Sequence, residues 1–187
     1  AGPQNVITAS SLLQQSITAD VAATATTVAQ RVVSSYPVCW QGSTACKGVN
    51  NQWGWTLPLP TGKNEQVVYN PVLQFGVFNV NTIIPAVQQI LSCSATPASG
   101  YSMGVSVANG GATTNPYFLD ANGKYLTVNG TGVSGVGFSG TGTSSFVSIG
   151  NGQYQMVTQS ADNTPKNIGV NPNAAGVGSR LNWVKLR

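Results

Sequence analysis

The chain has 187 residues, and only 6% of them are Asp, Glu, Lys or Arg, against roughly 25% in typical soluble domains. It has no histidine and four acidic residues, so the usual groups for acid–base catalysis are nearly absent, and its net charge of +4 rests on eight scattered cations rather than on a basic face. Composition therefore argues against an enzyme and against a nucleic-acid-binding protein. A surface of hydroxyls and amides with little charge repulsion between copies favours a structural protein outside the cell that packs against copies of itself.

The first predicted element is a long amphipathic helix over residues 5–35. Its apolar side chains recur at intervals of four or seven residues, which places them on one stripe of a helix. Pro37 ends the run. We expect the stripe to pack on the sheet or against neighbouring copies, and its members are the candidate assembly residues: Val6, Leu13, Ile17, Val21, Val28 and Val32.

Cys39, Cys46 and Cys93 permit one disulfide and leave one thiol over. A Cys39–Cys46 bridge closes a short loop, whereas either bridge to Cys93 would tie that loop to a later element; we expect Cys39–Cys46. A zinc site is excluded because histidine is absent and the spacing is not C-x2-C, and a catalytic thiol would need a histidine partner. A disulfide predicts a location outside the cytoplasm.

The irregular stretch over residues 37–71 also carries three tryptophans. Aromatic rings in such a stretch commonly pin it to the core. The alternative is stacking on sugar rings, for which Trp53 and Trp55 are the candidate glycan contacts.

The next elements are a short strand at 66–69, a buried strand at 72–80 and a second, short helix. Asn81 and Thr82 resemble a helix cap, and the residues that would then face the core are Ile84, Val87, Ile90 and Leu91.

After residue 101 the pattern changes to short apolar runs separated by Gly and Asn, which is typical of antiparallel strands. The clearest unit is a hairpin over 117–128, because its Asn122-Gly123 step readily takes positive φ. Asp120 in the same turn also resembles the start of a calcium loop, but the distal glutamate of such a loop is missing. Further strands are predicted at 103–107, 133–138, 145–149, 154–158 and 181–186. Asn129-Gly130-Thr131 fits the N-glycosylation pattern.

These elements predict an α+β fold in one domain over residues 1–187. The long amino-terminal amphipathic helix occupies 1–36 and packs on an antiparallel sheet. The disulfide-bearing connection with the short second helix occupies 37–100, and the β-rich part occupies 101–187.

A helix that ends at Tyr36-Pro37, followed by a variable loop and a cysteine-bearing antiparallel sheet, resembles the globular head of a type IV pilin or pseudopilin. The resemblance covers the order of elements over most of the chain, and its local motif is Tyr36-Pro37. It implies a subunit of a surface filament that self-assembles. The family's hydrophobic stalk is absent, so membrane contact is expected only through an anchor outside this sequence. The family's cysteine pair usually lies nearer the carboxyl terminus, whereas the last cysteine here is Cys93.

Two alternatives stay open, a secreted carbohydrate-binding adhesin and a β-rich virion coat or appendage subunit. No catalytic residue, metal or cofactor is expected under any of the three. The expected partners are copies of the chain itself, and host or surface glycans for the adhesin.

Overall fold

The computed structural model describes residues 7–44, 46–48, 50–88, 95–139, 142–160 and 163–175. This part of the chain is nearly all β. Its helical elements are two short 3-10 turns, Ala9–Ser11 and Thr61–Lys63. The strands are β1 Leu13–Gln14, β2 Ile17–Val21, β3 Gln30–Val33, β4 Trp55–Thr56, β5 Gln66–Val67, β6 Val72–Gln74, β7 Val77–Ile83, β8 Val87–Gln88, β9 Ala95–Thr96, β10 Gly100–Ser106, β11 Phe118–Leu119, β12 Thr127–Val128, β13 Thr131–Gly132, β14 Gly135–Phe138, β15 Ser144–Gly150, β16 Gln153–Gln159 and β17 Pro165–Val170.

The prediction of a long amino-terminal helix, and with it of an α+β fold, is wrong. β2 and β3 form an antiparallel pair in this region, with Asp20 opposite Arg31. Of the residues assigned to the helical stripe, Leu13 lies in β1, Ile17 and Val21 in β2, Val32 in β3, and Val28 in the loop between β2 and β3, while Val6 lies outside the described residues. An interval of four is also a multiple of two, so this spacing places residues on one face of a strand as well as of a helix. The many Thr and Val residues favour the strand, because β-branched side chains are enriched in strands.

The second predicted helix is also wrong within the described residues. Asn81 and Thr82 are part of β7 rather than a helix cap. Ile84 forms a β-bridge with Ser99, and Val87 begins β8. Ile90 and Leu91 lie outside the described residues.

The larger sheet has seven antiparallel strands. Its order is β2-β3-β14-β10-β7-β5, and β6 also pairs with β7. β14 therefore lies between two strands, β3 and β10, that precede it by many residues in the chain. β10 is buried along almost its whole length.

The smaller sheet has four antiparallel strands in the order β11-β17-β16-β15, in which β15, β16 and β17 follow one another as hairpins. Three two-stranded pairs complete the described strands: β1 with β4 in parallel, and β8 with β9 and β12 with β13 antiparallel. The strands predicted at 103–107, 133–138, 145–149 and 154–158 correspond to β10, β14, β15 and β16. The one predicted at 181–186 lies outside the described residues.

The main core lies between the two sheets. Val77 and Val136 of the larger sheet belong to one buried cluster with Met156 and Val170 of the smaller one. Tyr117 joins the same cluster, and its ring fills the space that a Cβ at Gly104 would need.

A second apolar cluster contains Val33, Tyr101 and Met103, with Val80 packed against it. Tyr101 and Met103 alternate along β10 with Gly104, so they point to the opposite face of the larger sheet from the main core. This second face carries four charged residues, Asp20, Arg31, Lys63 and Glu65.

Candidate functional site

A buried charged cluster lies on the second face of the larger sheet. The side chain of Arg31, in β3, is 0% exposed. Its Nη1 donates to Oε1 of Glu65 at 2.6 Å, and its Nη2 donates to Oδ2 of Asp20 at 3.2 Å. The guanidinium also lies over the ring of Tyr101, 3.5 Å from the ring centroid. Arg31, Asp20, Glu65 and Tyr101 are called the arginine cluster below.

Two hydroxyl groups also donate to the carboxylates of the cluster. The hydroxyl of Tyr101 donates to Oδ1 of Asp20 at 2.7 Å, and Oγ1 of Thr82 donates to Oε1 of Glu65 at 2.5 Å. Lys63 is half exposed, and its Nζ lies 3.8 Å from Oδ2 of Asp20. Within the described residues, the Nε of Arg31 and Oε2 of Glu65 are buried without a hydrogen-bond partner.

The cluster shifts the pKa values of Asp20, Arg31 and Tyr101. Burial raises the pKa of Asp20, but the hydrogen bonds from Tyr101 and Arg31 outweigh it, so the pKa is lowered overall. Burial lowers the pKa of Arg31, and its bonds to Glu65 and Asp20 outweigh that effect and raise it. Burial, followed by the bond to Asp20, raises the pKa of Tyr101 to about 12.

The arrangement of the arginine cluster is therefore that of a structural ion-pair network rather than of a reactive centre. Both carboxylates are held by the same guanidinium, so neither is placed as a free base. Its members come from β2, β3, β10 and the segment before β5, and the cluster ties these elements together. Among the described residues, no three His, Cys, Asp or Glu side chains come close enough to hold a metal ion.

Cys39 and Cys46 form a disulfide with an S–S distance of 2.04 Å. Of the three pairings that the sequence left open, this is the one that we expected. The loop is anchored at both ends, because the N–H of Cys39 donates to Oε1 of Gln52 at 2.6 Å and the N–H of Cys46 donates to Oδ1 of Asn50 at 3.1 Å. Cys93 lies outside the described residues.

The two candidate glycan-contact tryptophans have different surroundings. Trp55 packs its ring against Gly110, meets Phe78 edge-on at 5.9 Å between ring centroids, and donates from Nε1 to the carbonyl of Val107 at 3.2 Å. Trp53 is 42% exposed, as is Trp40 beside the disulfide. Trp55 is thus placed as an anchor of its loop, and Trp53 is the member of the pair with substantial ring surface in solvent.

A cleft of about 760 Å³ opens across the seam between the two sheets. The loop between β2 and β3 and the turn after β11 lie at its rim, and the facing parts of β16 and β17 line it. Its polar lining is dominated by five carboxamides, Gln30, Asn122, Gln153, Gln155 and Asn167, and its apolar lining includes the rings of Phe138 and Tyr154. These five residues are called the amide set below.

Neither arrangement was evident from the sequence. Asp20 and Arg31 are visible in the sequence as the charges of an otherwise uncharged segment, but their partners Glu65 and Tyr101 are distant in the chain and only the strand pairing brings them together. The amide set comes from four separate segments and has no spacing that could have identified it.

No helix in the described ranges is long and apolar enough to cross a membrane.

Comparison with known proteins finds similarity to a solved structure. No protein-family model matches the chain and no curated protein matches it in sequence. The structure is similar to the C-terminal domain of PilY1 from Pseudomonas aeruginosa, with a TM-score of 0.66 and 22% sequence identity over 89% of this chain. The chain spans about a third of that solved protein, 33% of its length. At this level of identity the match establishes the fold alone.

Proposed function

We propose that this chain is a surface-exposed domain of a type IV pilus-associated protein, located outside the cytoplasm, that acts by presenting a binding surface rather than by turning over a substrate. The observation that carries the proposal is the similarity of fold to the C-terminal domain of PilY1, itself a type IV pilus-associated protein.

The chemistry of the chain supports this role. A disulfide such as Cys39–Cys46 forms and persists in an oxidising compartment. The few charges are partly withdrawn into the arginine cluster, which leaves a surface of neutral hydrogen-bonding groups. Binding through amides, hydroxyls and aromatic rings needs no group that titrates near neutral pH.

The role differs from that of a filament-forming pilin subunit. A pilin builds the filament with a long amino-terminal helix, and here residues 17–33 form the β2–β3 pair instead. The domain is therefore proposed as an accessory part of the pilus system, with another pilus component or a surface ligand as its partner.

The test is an in-frame deletion of the codons for residues 7–175 in the source organism. Electron microscopy then counts surface pili, and a cell-attachment assay measures pilus-dependent adhesion. We expect the deletion to reduce one or both, and re-expression of the parent sequence to restore them. Normal numbers of pili together with normal attachment would overturn the proposal.

A further inference from the structure

We propose that the cleft at the seam of the two sheets binds an uncharged oligosaccharide, with the amide set as its hydrogen-bonding groups. This inference gives the proposed surface domain a ligand, and so it rests on the proposed function for its biological setting.

The side chains of the amide set have unused hydrogen-bonding capacity. No side chain of the amide set makes a hydrogen bond to another of the described residues, although Gln30 and Gln155 are half-buried. Two buried carboxamides outside the cleft are, by contrast, used internally: Gln15 contacts Tyr36 and Ser34, and Asn79 accepts from Tyr117. Each carboxamide offers two donor hydrogens and an acceptor oxygen, a combination that matches neighbouring hydroxyls of a sugar ring.

The cleft also has the size of a small-ligand site and a partly apolar lining. A volume of about 760 Å³ is within the range of roughly 300–1,000 Å³ typical of small-ligand sites. Phe138 and Tyr154 are among the residues that line the cleft, and both are partly exposed where they pack against the main core. Sugar rings have one apolar face and a polar rim, so a wall with aromatic rings beside carboxamides suits them.

The lining of the cleft carries little charge. Asp120 is the one charged residue among the described residues that line the cleft. Its Oδ1 accepts hydrogen bonds from the N–H groups of Asn122 and Lys124, each at 2.8 Å, so this oxygen serves the turn. No cation of the described lining is available to pair with a sulfate, phosphate or sialic acid carboxylate, and this selects a neutral ligand.

The strand order bears on whether the cleft takes a sugar or a peptide. Extended peptides commonly bind by adding a strand to a free sheet edge. Among the strands that line this cleft, β3, β14 and β16 each lie between two other strands and offer no such edge, whereas β15 is an edge strand and β17 pairs with β11 only at Gly169 and Val170. The remaining edge of β11 is occupied by the chain after its turn, because the N–H of Leu126 donates to the carbonyl of Phe118 at 2.9 Å. Recognition through Gln30, Gln153 and Gln155, which lie on the inner strands β3 and β16, must therefore rely on side chains.

The experiment uses the purified full chain on an array of neutral hexose and N-acetylhexosamine oligosaccharides, with their sialylated and sulfated counterparts. Isothermal titration calorimetry then measures the affinity for the best neutral glycan. The double variant Gln155→Ala/Asn167→Ala removes two members of the amide set and should weaken binding by roughly tenfold, about the loss of two neutral hydrogen bonds. Unchanged melting temperatures establish that the variants are folded.

Two controls locate the site. Gln66→Ala removes an exposed carboxamide of β5 that does not line the cleft and should leave the affinity unchanged. Trp53→Ala, at the exposed tryptophan predicted from sequence, should also leave it unchanged. Failure of every neutral glycan to bind, preference for the charged counterparts, or loss of binding on Trp53→Ala but not in the double variant would each overturn the inference. Because this readout is binding by the isolated chain, its failure is distinct from normal piliation after the deletion.

Discussion

The guanidinium of Arg31 lies 3.5 Å from the centroid of the Tyr101 ring, while the hydroxyl of that tyrosine donates to Asp20, the carboxylate that Arg31 also contacts. The three side chains thus close a ring of contacts across β2, β3 and β10. A cation over an aromatic face contributes about 2 kcal/mol when it is desolvated, so the stacking adds to the ion pairs. Gly135, opposite Arg31 in β14, leaves space for Met103 beside this stack.

Replacing Arg31 with methionine should destabilise the protein by about 3–5 kcal/mol. The loss arises because Glu65 would stay in a fully buried position without its cation. Urea unfolding followed by circular dichroism measures the change. The matched control is Lys63→Met, which removes the exposed cation near Asp20 and should cost less than about 1 kcal/mol. Similar losses for both variants would contradict the assignment of Arg31 as the centre of the cluster.

Acidification should remove the contribution of Asp20 to stability. Its pKa is lowered in the folded protein from 3.8, so the unfolded chain binds a proton more readily than the folded one. The contribution is therefore complete above about pH 4 and is lost as the pH falls through the folded value. The free energy of unfolding, measured between pH 2 and pH 6, should decrease more steeply for the parent than for Asp20→Asn. Parallel curves would argue against a lowered pKa.

Alkaline conditions should act through Tyr101. Its pKa is raised from 10.0 to about 12 in the folded protein, so the unfolded chain loses the phenolic proton first. The stability that depends on this shift is intact below pH 10 and is lost as the pH rises towards 12. Tyr101→Phe has no phenol to titrate, and its stability should decrease less over this interval. Ultraviolet absorbance of the phenolate gives an independent reading: burial also raises the pKa of Tyr117, so two tyrosines of the parent should ionise late and only one of the variant.

The role of Trp55 as an anchor can be tested with two glycines. Gly110 and Gly123 both have positive φ, at 69° and 74°, so an alanine at either position carries a similar backbone strain. A Cβ at Gly110 would collide with the ring of Trp55, whereas a Cβ at Gly123 would meet nothing within 4 Å. We expect Gly123→Ala to cost about 1 kcal/mol and Gly110→Ala about 2–4 kcal/mol, with a shift in tryptophan fluorescence only for the second. Equal costs would mean that the Trp55 ring is not held against Gly110.

Removing the disulfide with Cys39→Ser/Cys46→Ser should cost about 2–3 kcal/mol. The bridge spans a sequence separation of 7, and the figure is what closing so short a loop contributes in the chain-entropy account. Thermal unfolding with and without a reducing agent measures the effect, and the reduced parent should match the variant. Non-reducing peptide mapping should recover Cys39 and Cys46 in one linked product, and a bridge from either of them to Cys93 would contradict the pairing.

Turn chemistry made the carboxyl-terminal half more readable from sequence than the amino-terminal half. The turn at Asp120–Gly123 has its own local signal, an Asn-Gly step with Gly123 at φ 74°, and it lies where it was predicted. β15 and β16 follow the same pattern, separated by Asn151 and Gly152 at positive φ. Such turns fix structure through adjacent residues, so the sequence alone contains the information.

The amino-terminal half has no comparable local signal. Leu13, Ile17 and Val21 are spaced by four, which fits both periodicities, and the choice between them depends on pairing with remote strands. Tertiary context likewise decides the position of Arg31, whose partner Glu65 lies 34 residues away. The cleft is even harder to predict from the sequence, because Gln30 and Gln155 line the same cleft only when the two sheets pack.

The position of β14 between β3 and β10 has a consequence for the order in which the protein folds. The larger sheet cannot close until residues 135–138 are available, about a hundred residues after β3 has left the ribosome or an export channel. At synthesis rates of roughly 5–20 residues per second, β3 waits about 5–20 s for its inner neighbour. During that interval the β2–β3 hairpin stands alone, and isolated hairpins are at best marginally stable in water. The larger sheet can therefore be completed only after most of the chain has been synthesised.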